Sequence, residues 1–242
     1  MTRDEARSKI IFALDVDSFS AARHWVVTLS GHVGMFKVGK QLFTAYGPEI
    51  VRMIEDFGAE VFLDLKYHDI PNTVALASRE AARLKVKLFN LHALGGYEMM
   101  ARTMEMMDRE FPADNRAKVL AVTILTSSTE ETLRDVGIEH PVAEMVPRLA
   151  LLAKKAGLDG VVASPQEVSL IRQACGDDFL IVTPGVRPGF AATDDQKRIM
   201  TPADAVAAGA DYLVIGRPIS AAAEPLLAVE AIVDEMAESC NA

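Results

Sequence analysis

The sequence predicts an α/β protein, a single (β/α)8 barrel of the TIM type running through residues 1–242. Three observations predict it. The length is that of one such barrel. Eight short β-rich runs alternate with longer amphipathic stretches, the pattern of repeated βα units around a parallel sheet. No G-x-G-x-x-G follows the first run, where an open dinucleotide-binding sheet would carry its phosphate turn. Alternation by itself also permits an open doubly wound sheet, and it is the count of eight that favours closure.

The strands are read at Ile10 to Asp15, Met35 to Val38, Val61 to Lys66, Leu88 to His92, Val119 to Ile124, Gly160 to Ala163, Leu180 to Thr183 and Tyr212 to Ile215, each followed by a helical pattern. Two helix starts are marked locally. Ser164-Pro165-Gln166-Glu167 reads as a capping box with proline at the first helical position, and Thr201-Pro202 repeats the cap-and-proline arrangement. Pro184 to Met200 is a long connection after the seventh strand, carries Gly185 and Gly189, and is a lid candidate.

Half of the residues are apolar and no charge block or low-complexity tract interrupts the chain, which excludes extensive disorder. Acidic residues outnumber basic ones 34 to 25, a net charge of −9 that opposes nucleic acid and anionic membranes as partners. An anionic small molecule would need a local basic pocket. Cys175 and Cys240 have no CxxC or Cys/His spacing, so neither zinc nor a disulfide framework is expected, and a reducing cytoplasm fits. The apolar run from Ile10 to Leu14 ends at Asp15, too short for a signal-peptide core or a membrane span.

The chemistry concentrates on the third strand. Period-2 alternation in Val61-Phe62-Leu63-Asp64-Leu65-Lys66 puts Phe62, Asp64 and Lys66 on one face and the aliphatic residues on the other. With the aliphatic face against the helices, Asp64 and Lys66 project at the C-terminal mouth, where catalytic groups of this fold lie. Asp69 follows three residues later; it could equally cap the helix that begins near Pro71. Lys37 and Asp15 end strands two and one, so four or five charged groups converge on one rim, more than an ion pair closing the mouth would need. Gly216-Arg217 follows the eighth strand and Arg187 lies in the long loop, positions at which barrels of this type bind phosphate through close backbone approach and forked donors.

Other residues take plainer readings. Met99, Met100, Met104, Met106 and Met107 are packing filler for core or interface. His92 supports the rim groups from behind, and His24, His32 and His140 have no metal-binding spacing.

Asp64-Leu65-Lys66-Tyr67-His68-Asp69-Ile70-Pro71-Asn72-Thr73 resembles the signature of the orotidine 5′-phosphate decarboxylase family. The resemblance extends to Ala13-Leu14-Asp15, Lys37-Val38-Gly39, Val122 to Ser127, Thr183 to Gly189 and Ile215 to Pro218, and so spans the chain. One small departure is Ser128, where many relatives have an apolar residue. The resemblance implies conversion of orotidine 5′-phosphate to uridine 5′-phosphate and carbon dioxide, with no metal and no organic cofactor, by a homodimer with shared active sites. It implies that Asp15 and Lys37 hold the ribose, that Asp64 and Lys66 flank the reacting carbon with Lys66 as proton donor, and that Asp69 completes the partner subunit's charge array. Ile70, Thr73 and Thr126 join the substrate contacts, Thr126 at the pyrimidine, while Arg187, Gln196, Gly216 and Arg217 hold the phosphate.

Two competing readings remain at this level. A related barrel that shares D-x-K-x-x-D, such as 3-keto-L-gulonate 6-phosphate decarboxylase, uses magnesium, but Lys37 would repel the ion where that chemistry needs an acidic ligand. A non-catalytic sensor of a phosphorylated metabolite would have no use for a lysine beside the reacting carbon.

Overall fold

The structure is a computed structural model and describes residues 1–112, 114–189 and 200–239. Eight parallel strands, β1 (Ile10–Ala13), β2 (Met35–Gly39), β3 (Glu60–Tyr67), β4 (Leu88–His92), β5 (Lys118–Val122), β6 (Gly160–Val162), β7 (Leu180–Pro184) and β8 (Tyr212–Ile215), follow one another in spatial order. They close when β8 pairs with β1 through Ile10 and Leu213, Ile11 and Val214, and Phe12 and Ile215. Closure excludes the open doubly wound sheet.

Alternation decides what goes where. Ile11, Ala13, Met35, Phe62, Leu88, Leu120, Val122, Val162, Val182 and Val214 fill the barrel's interior. Their neighbours in sequence, among them Phe12, Phe36, Leu63, Phe89, Val161, Ile181 and Leu213, point outward and merge with the helix layer into a second, larger core. Val61 and Leu63 belong to that outer core and Phe62 to the inner one, as the pattern of the third strand requires.

The strand boundaries move by one or two residues from those read in the sequence. β1 ends at Ala13 and β5 at Val122, so Asp15 and Ile124 lie in the loops beyond. The apolar runs continue past the last paired residue because Leu14 and Ile124 are still buried, and burial rather than pairing sets the pattern.

Among the helices, α1 (Pro71–Arg83) follows β3 and α2 (Gly96–Glu110) follows β4; these two pack on each other. All five methionines of α2 are buried within the chain, which assigns them to the core. Thr201 accepts from the Asp204 amide at 3.1 Å and starts the helix Pro202–Ala207. At the other marked start, the Ser164 amide donates to Glu167 Oε2 at 3.0 Å and a 3-10 turn over Pro165–Glu167 leads into the helix Val168–Cys175. Cys175 is a buried free thiol; Cys240 lies outside the described residues. No helix among the described residues is long and apolar enough to cross a membrane.

Candidate active site

Four charged side chains meet at the C-terminal mouth. Lys37 Nζ donates to Asp15 Oδ1 at 3.0 Å and stands 3.6 Å from Asp64 Oδ2. Lys66 Nζ donates to Asp64 Oδ1 at 2.5 Å, so the Asp64 carboxylate is flanked by two ammonium groups. The row Asp15, Lys37, Asp64, Lys66 alternates in sign from the loop after β1 across the ends of β2 and β3. Asp64, Lys37 and Lys66 are largely buried, while Asp15 opens to solvent.

The charges set the ionisation of Asp64. Burial pushes its carboxyl pKa up, but Lys37, Lys66 and hydrogen bonds from Lys66 and Asn90 outweigh that, and the net shift is below the ordinary value. His92, at the end of β4, is pushed down to about 4, first by burial and then by His68, Lys66 and Lys40. Its ring stands 5.5 Å from that of His68, and its Nδ1 is buried with no hydrogen-bond partner among the described residues. The other expected bystanders are elsewhere: His24 stacks on Trp25, and His32 and His140 face Glu230 and Glu144.

A cleft of about 280 Å³ opens over this row, walled by Leu14, Asp15, Lys37, Gly39, Asp64 and Lys66 among others. Gly39 matters to its shape, because a Cβ there would lie 3.2 Å from Lys37 Nζ and 3.5 Å from Asp15 Oδ1. Leu125 reaches the cleft from the loop after β5, and Thr126 follows it, half-buried.

The remaining site residues lie off this row. Asp69 is exposed, and its Oδ1 accepts from the Ile70 amide at 2.6 Å instead of facing Lys66. It does not cap α1 either, whose N-cap position is Ile70, with no side-chain cap. Ile70 and Thr73 are exposed on the same outer rim, Ile70 by 66%. Arg187 and Arg217 follow β7 and β8, which are paired neighbours, and Arg187 is buried whereas Arg217 is exposed. Gly216 packs tightly on β1, for a Cβ there would stand 3.2 Å from Ala13 Cβ. The Arg187 amide donates to the Met200 carbonyl at 3.0 Å, joining the ends of the long connection. Gln196 and residues 190–199 generally, the middle of the lid candidate, lie outside the described residues.

The third strand departs from simple alternation. Lys66 has φ +53°, the left-handed region, which costs a non-glycine residue on the order of 1 kcal/mol. Pairing with β4 runs Leu63 to Phe89 and then Tyr67 to Leu91, so Asp64, Leu65 and Lys66 bulge opposite the single residue Asn90. Asn90 is fully buried; its Oδ1 accepts from the Lys66 amide at 2.8 Å and its Nδ2 donates to Asp64 Oδ1 at 2.7 Å. Sequence reasoning missed this residue. The available signal was an amide on the inward-facing register of Leu88, in a strand otherwise of leucine, phenylalanine and a terminal histidine.

A profile of the Orotidine 5'-phosphate decarboxylase / HUMPS family matches residues 8–232. The chain belongs to this family. The family resemblance extends nearly end to end: proteins named orotidine 5'-phosphate decarboxylase from Geotalea daltonii and Geobacter sulfurreducens are each 74% identical over 236 residues, covering 98% of this chain and 99% of theirs. Among solved structures, orotidine 5'-phosphate decarboxylase from Lactobacillus acidophilus superposes with a TM-score of 0.83 at 39% identity over 94% of this chain and 98% of its own. The enzyme of the same name from Pyrococcus horikoshii OT3 gives 0.74 at 27% identity over 94% and 99%.

Proposed function

We propose that Lys66 is the proton donor of a cofactor-independent decarboxylation carried out in the cleft above β1, β2 and β3. The reaction of the chain is conversion of orotidine 5′-phosphate to uridine 5′-phosphate and carbon dioxide, in pyrimidine biosynthesis. The observation that carries the mechanism is the Lys37–Asp64–Lys66 row, with Lys66 Nζ held 2.5 Å from Asp64 in a largely buried site.

When the bond from pyrimidine carbon 6 to the carboxyl carbon breaks, carbon dioxide leaves and the electron pair stays on carbon 6, in the ring plane, where the ring π system does not absorb it. A fixed ammonium stabilises that pair as it forms and then transfers a proton to the same carbon. Asp64 holds the ammonium in place and sits beside the departing carboxylate. Asp15 and Lys37 hold the ribose, and Thr126 contacts the pyrimidine. Arg187, Arg217 and the Gly216 backbone hold the phosphate, with Gln196 from the long connection. A magnesium-dependent variant of the chemistry fits the residues poorly, since the Lys37 ammonium occupies the space between the Asp15 and Asp64 carboxylates.

The same reading makes the working unit a homodimer, in the cytoplasm, with Asp69, Ile70 and Thr73 reaching into the partner subunit's cleft. What supports it is their exposure on the rim and the turn of Asp69 away from its own Lys66.

Two experiments test these assignments. Lys66→Ala abolishes turnover of orotidine 5′-phosphate, followed by ultraviolet absorbance, with the circular dichroism spectrum unchanged; near-normal turnover overturns the mechanism. Mixing inactive Lys66→Ala with inactive Asp69→Ala protein and exchanging subunits leaves each heterodimer with one doubly damaged site and one intact site. Activity then recovers to roughly a quarter of wild type per site at equal mixing, because half of the dimers are mixed. Exchange verified by mass without recovery places Asp69 in its own subunit's chemistry.

A further inference from the structure

We propose that Asn90 is a positioning residue for the decarboxylation, a buried amide that fixes both the backbone of Lys66 and the carboxylate of Asp64. The inference rests on the reading of Lys66 as proton donor and adds to it the group that sets where its ammonium stands.

The argument begins with the bulge. Three residues of β3 face one of β4 between the pairs Leu63–Phe89 and Tyr67–Leu91, so the backbone ladder is interrupted where the functional side chains emerge. Bulged residues lose their ladder partners, and a buried amide without a partner is costly. The Lys66 amide donates instead to the Asn90 side chain at 2.8 Å, which replaces the missing strand carbonyl. Of the two described non-glycine residues with positive φ, Lys85 lies just past the end of a helix, where such conformations are common, whereas Lys66 is held inside a strand, one residue from the end of β3. The other end of the same amide donates to Asp64 Oδ1 at 2.7 Å, the oxygen that also receives the Lys66 ammonium.

An asparagine does this and a leucine or an aspartate does not. The site needs an acceptor facing β3 at the Lys66 amide and a donor at the Asp64 carboxylate, and a carboxamide presents both on one planar group. Asn90 is fully buried, so it does not touch solvent-borne substrate and acts through Lys66 and Asp64. The groups facing it are Asp64 and Lys66 on β3, with Lys37 beyond Asp64 on β2 and His92 two residues on in β4; toward β5 it pairs with Leu120, beside Val122, neither of which titrates.

The test uses Asn90→Ala and Asn90→Asp in the full-length enzyme. Asn90→Ala lowers kcat about 100-fold while KM for orotidine 5′-phosphate stays within about 3-fold, the signature of displaced reacting groups and not of lost binding. In Asn90→Asp, the ionised carboxylate accepts from the Lys66 amide but faces Asp64 with like charge, whereas the protonated acid restores both hydrogen bonds. Its activity relative to wild type therefore rises as pH falls from 8 to 5, and that of Asn90→Ala stays flat. A kcat near wild type in folded Asn90→Ala overturns the inference. So does a flat relative profile for Asn90→Asp, which decides the matter if the alanine variant does not fold. Lys66→Ala assayed alongside separates the two claims: activity there overturns the proton-donor reading, and inactivity there with a fully active Asn90→Ala overturns only the role of Asn90.

Discussion

Replacing Asp64 by asparagine removes the negative charge between two ammonium groups and keeps the side chain's shape. With an effective dielectric of about 20, Coulomb's law gives a gross attraction of roughly 7 kcal/mol to Lys66 at 2.5 Å and roughly 5 kcal/mol to Lys37 at 3.6 Å. Much of this is offset, because the variant no longer buries a carboxylate. What remains is two ammonium groups near each other with one shared counter-ion gone, and Asp15 left to serve Lys37 alone. Removing one member of such a buried set costs about 3–5 kcal/mol. Asp64→Asn is therefore expected to unfold at lower urea concentration at pH 7, by an amount within that range. The pH dependence gives a second check. The Asp64 carboxyl is held below its ordinary value, so its contribution is complete above the unfolded pKa, near 3.8, and is lost as pH falls through the folded one. The difference between wild type and variant is flat from pH 7 to about 5 and shrinks below about 4. Urea titrations at pH 7, 5 and 3, at one protein concentration, measure both. A variant as stable as wild type at pH 7 refutes the reasoning, since it means that Asp64 is under electrostatic stress in the free enzyme and not held by its lysines.

Arg217→Ala is expected to lower kcat/KM for orotidine 5′-phosphate by about 2–4 kcal/mol, roughly 30- to 1000-fold, while the residual rate with the unphosphorylated nucleoside is unchanged. An equal loss with both substrates contradicts a phosphate role. His92, with its pKa pushed down to about 4 from 6.5, stays neutral in the folded protein across a window in which the unfolded chain takes up a proton. Stability therefore falls as pH drops from 6.5 toward 4, and is independent of this group above 6.5. His92→Gln loses less stability than wild type between pH 7 and pH 5 by urea titration; equal losses show that His92 is not buried neutral.

The sequence alone determined the order of eight strands, the inward and outward faces of β3, and a rim carrying Asp15, Lys37, Asp64 and Lys66. These were legible because each rests on local information: period-2 alternation, a capping residue before proline, a charge that ends an apolar run. Closure of the sheet, by contrast, is a pairing between Ile10–Phe12 and Leu213–Ile215, some 200 residues apart, and no local pattern encodes it. The same holds for the three-against-one bulge. Alternation places Asp64 and Lys66 on one face, but only pairing with β4 shows that Lys66 adopts a left-handed backbone held by Asn90. Asn90 shows in the sequence only as a single inward-facing amide in an apolar strand and not as a positioning group, because a buried polar group takes its meaning from the partner it finds. Asp69 differs again. Its place just before Ile70-Pro71 already has the chain turn away from its own Lys66, and the structure adds where the carboxylate goes, onto the Ile70 amide. Sequence spacing fixes which residues are near along the chain, whereas backbone conformation at a turn fixes which way they face.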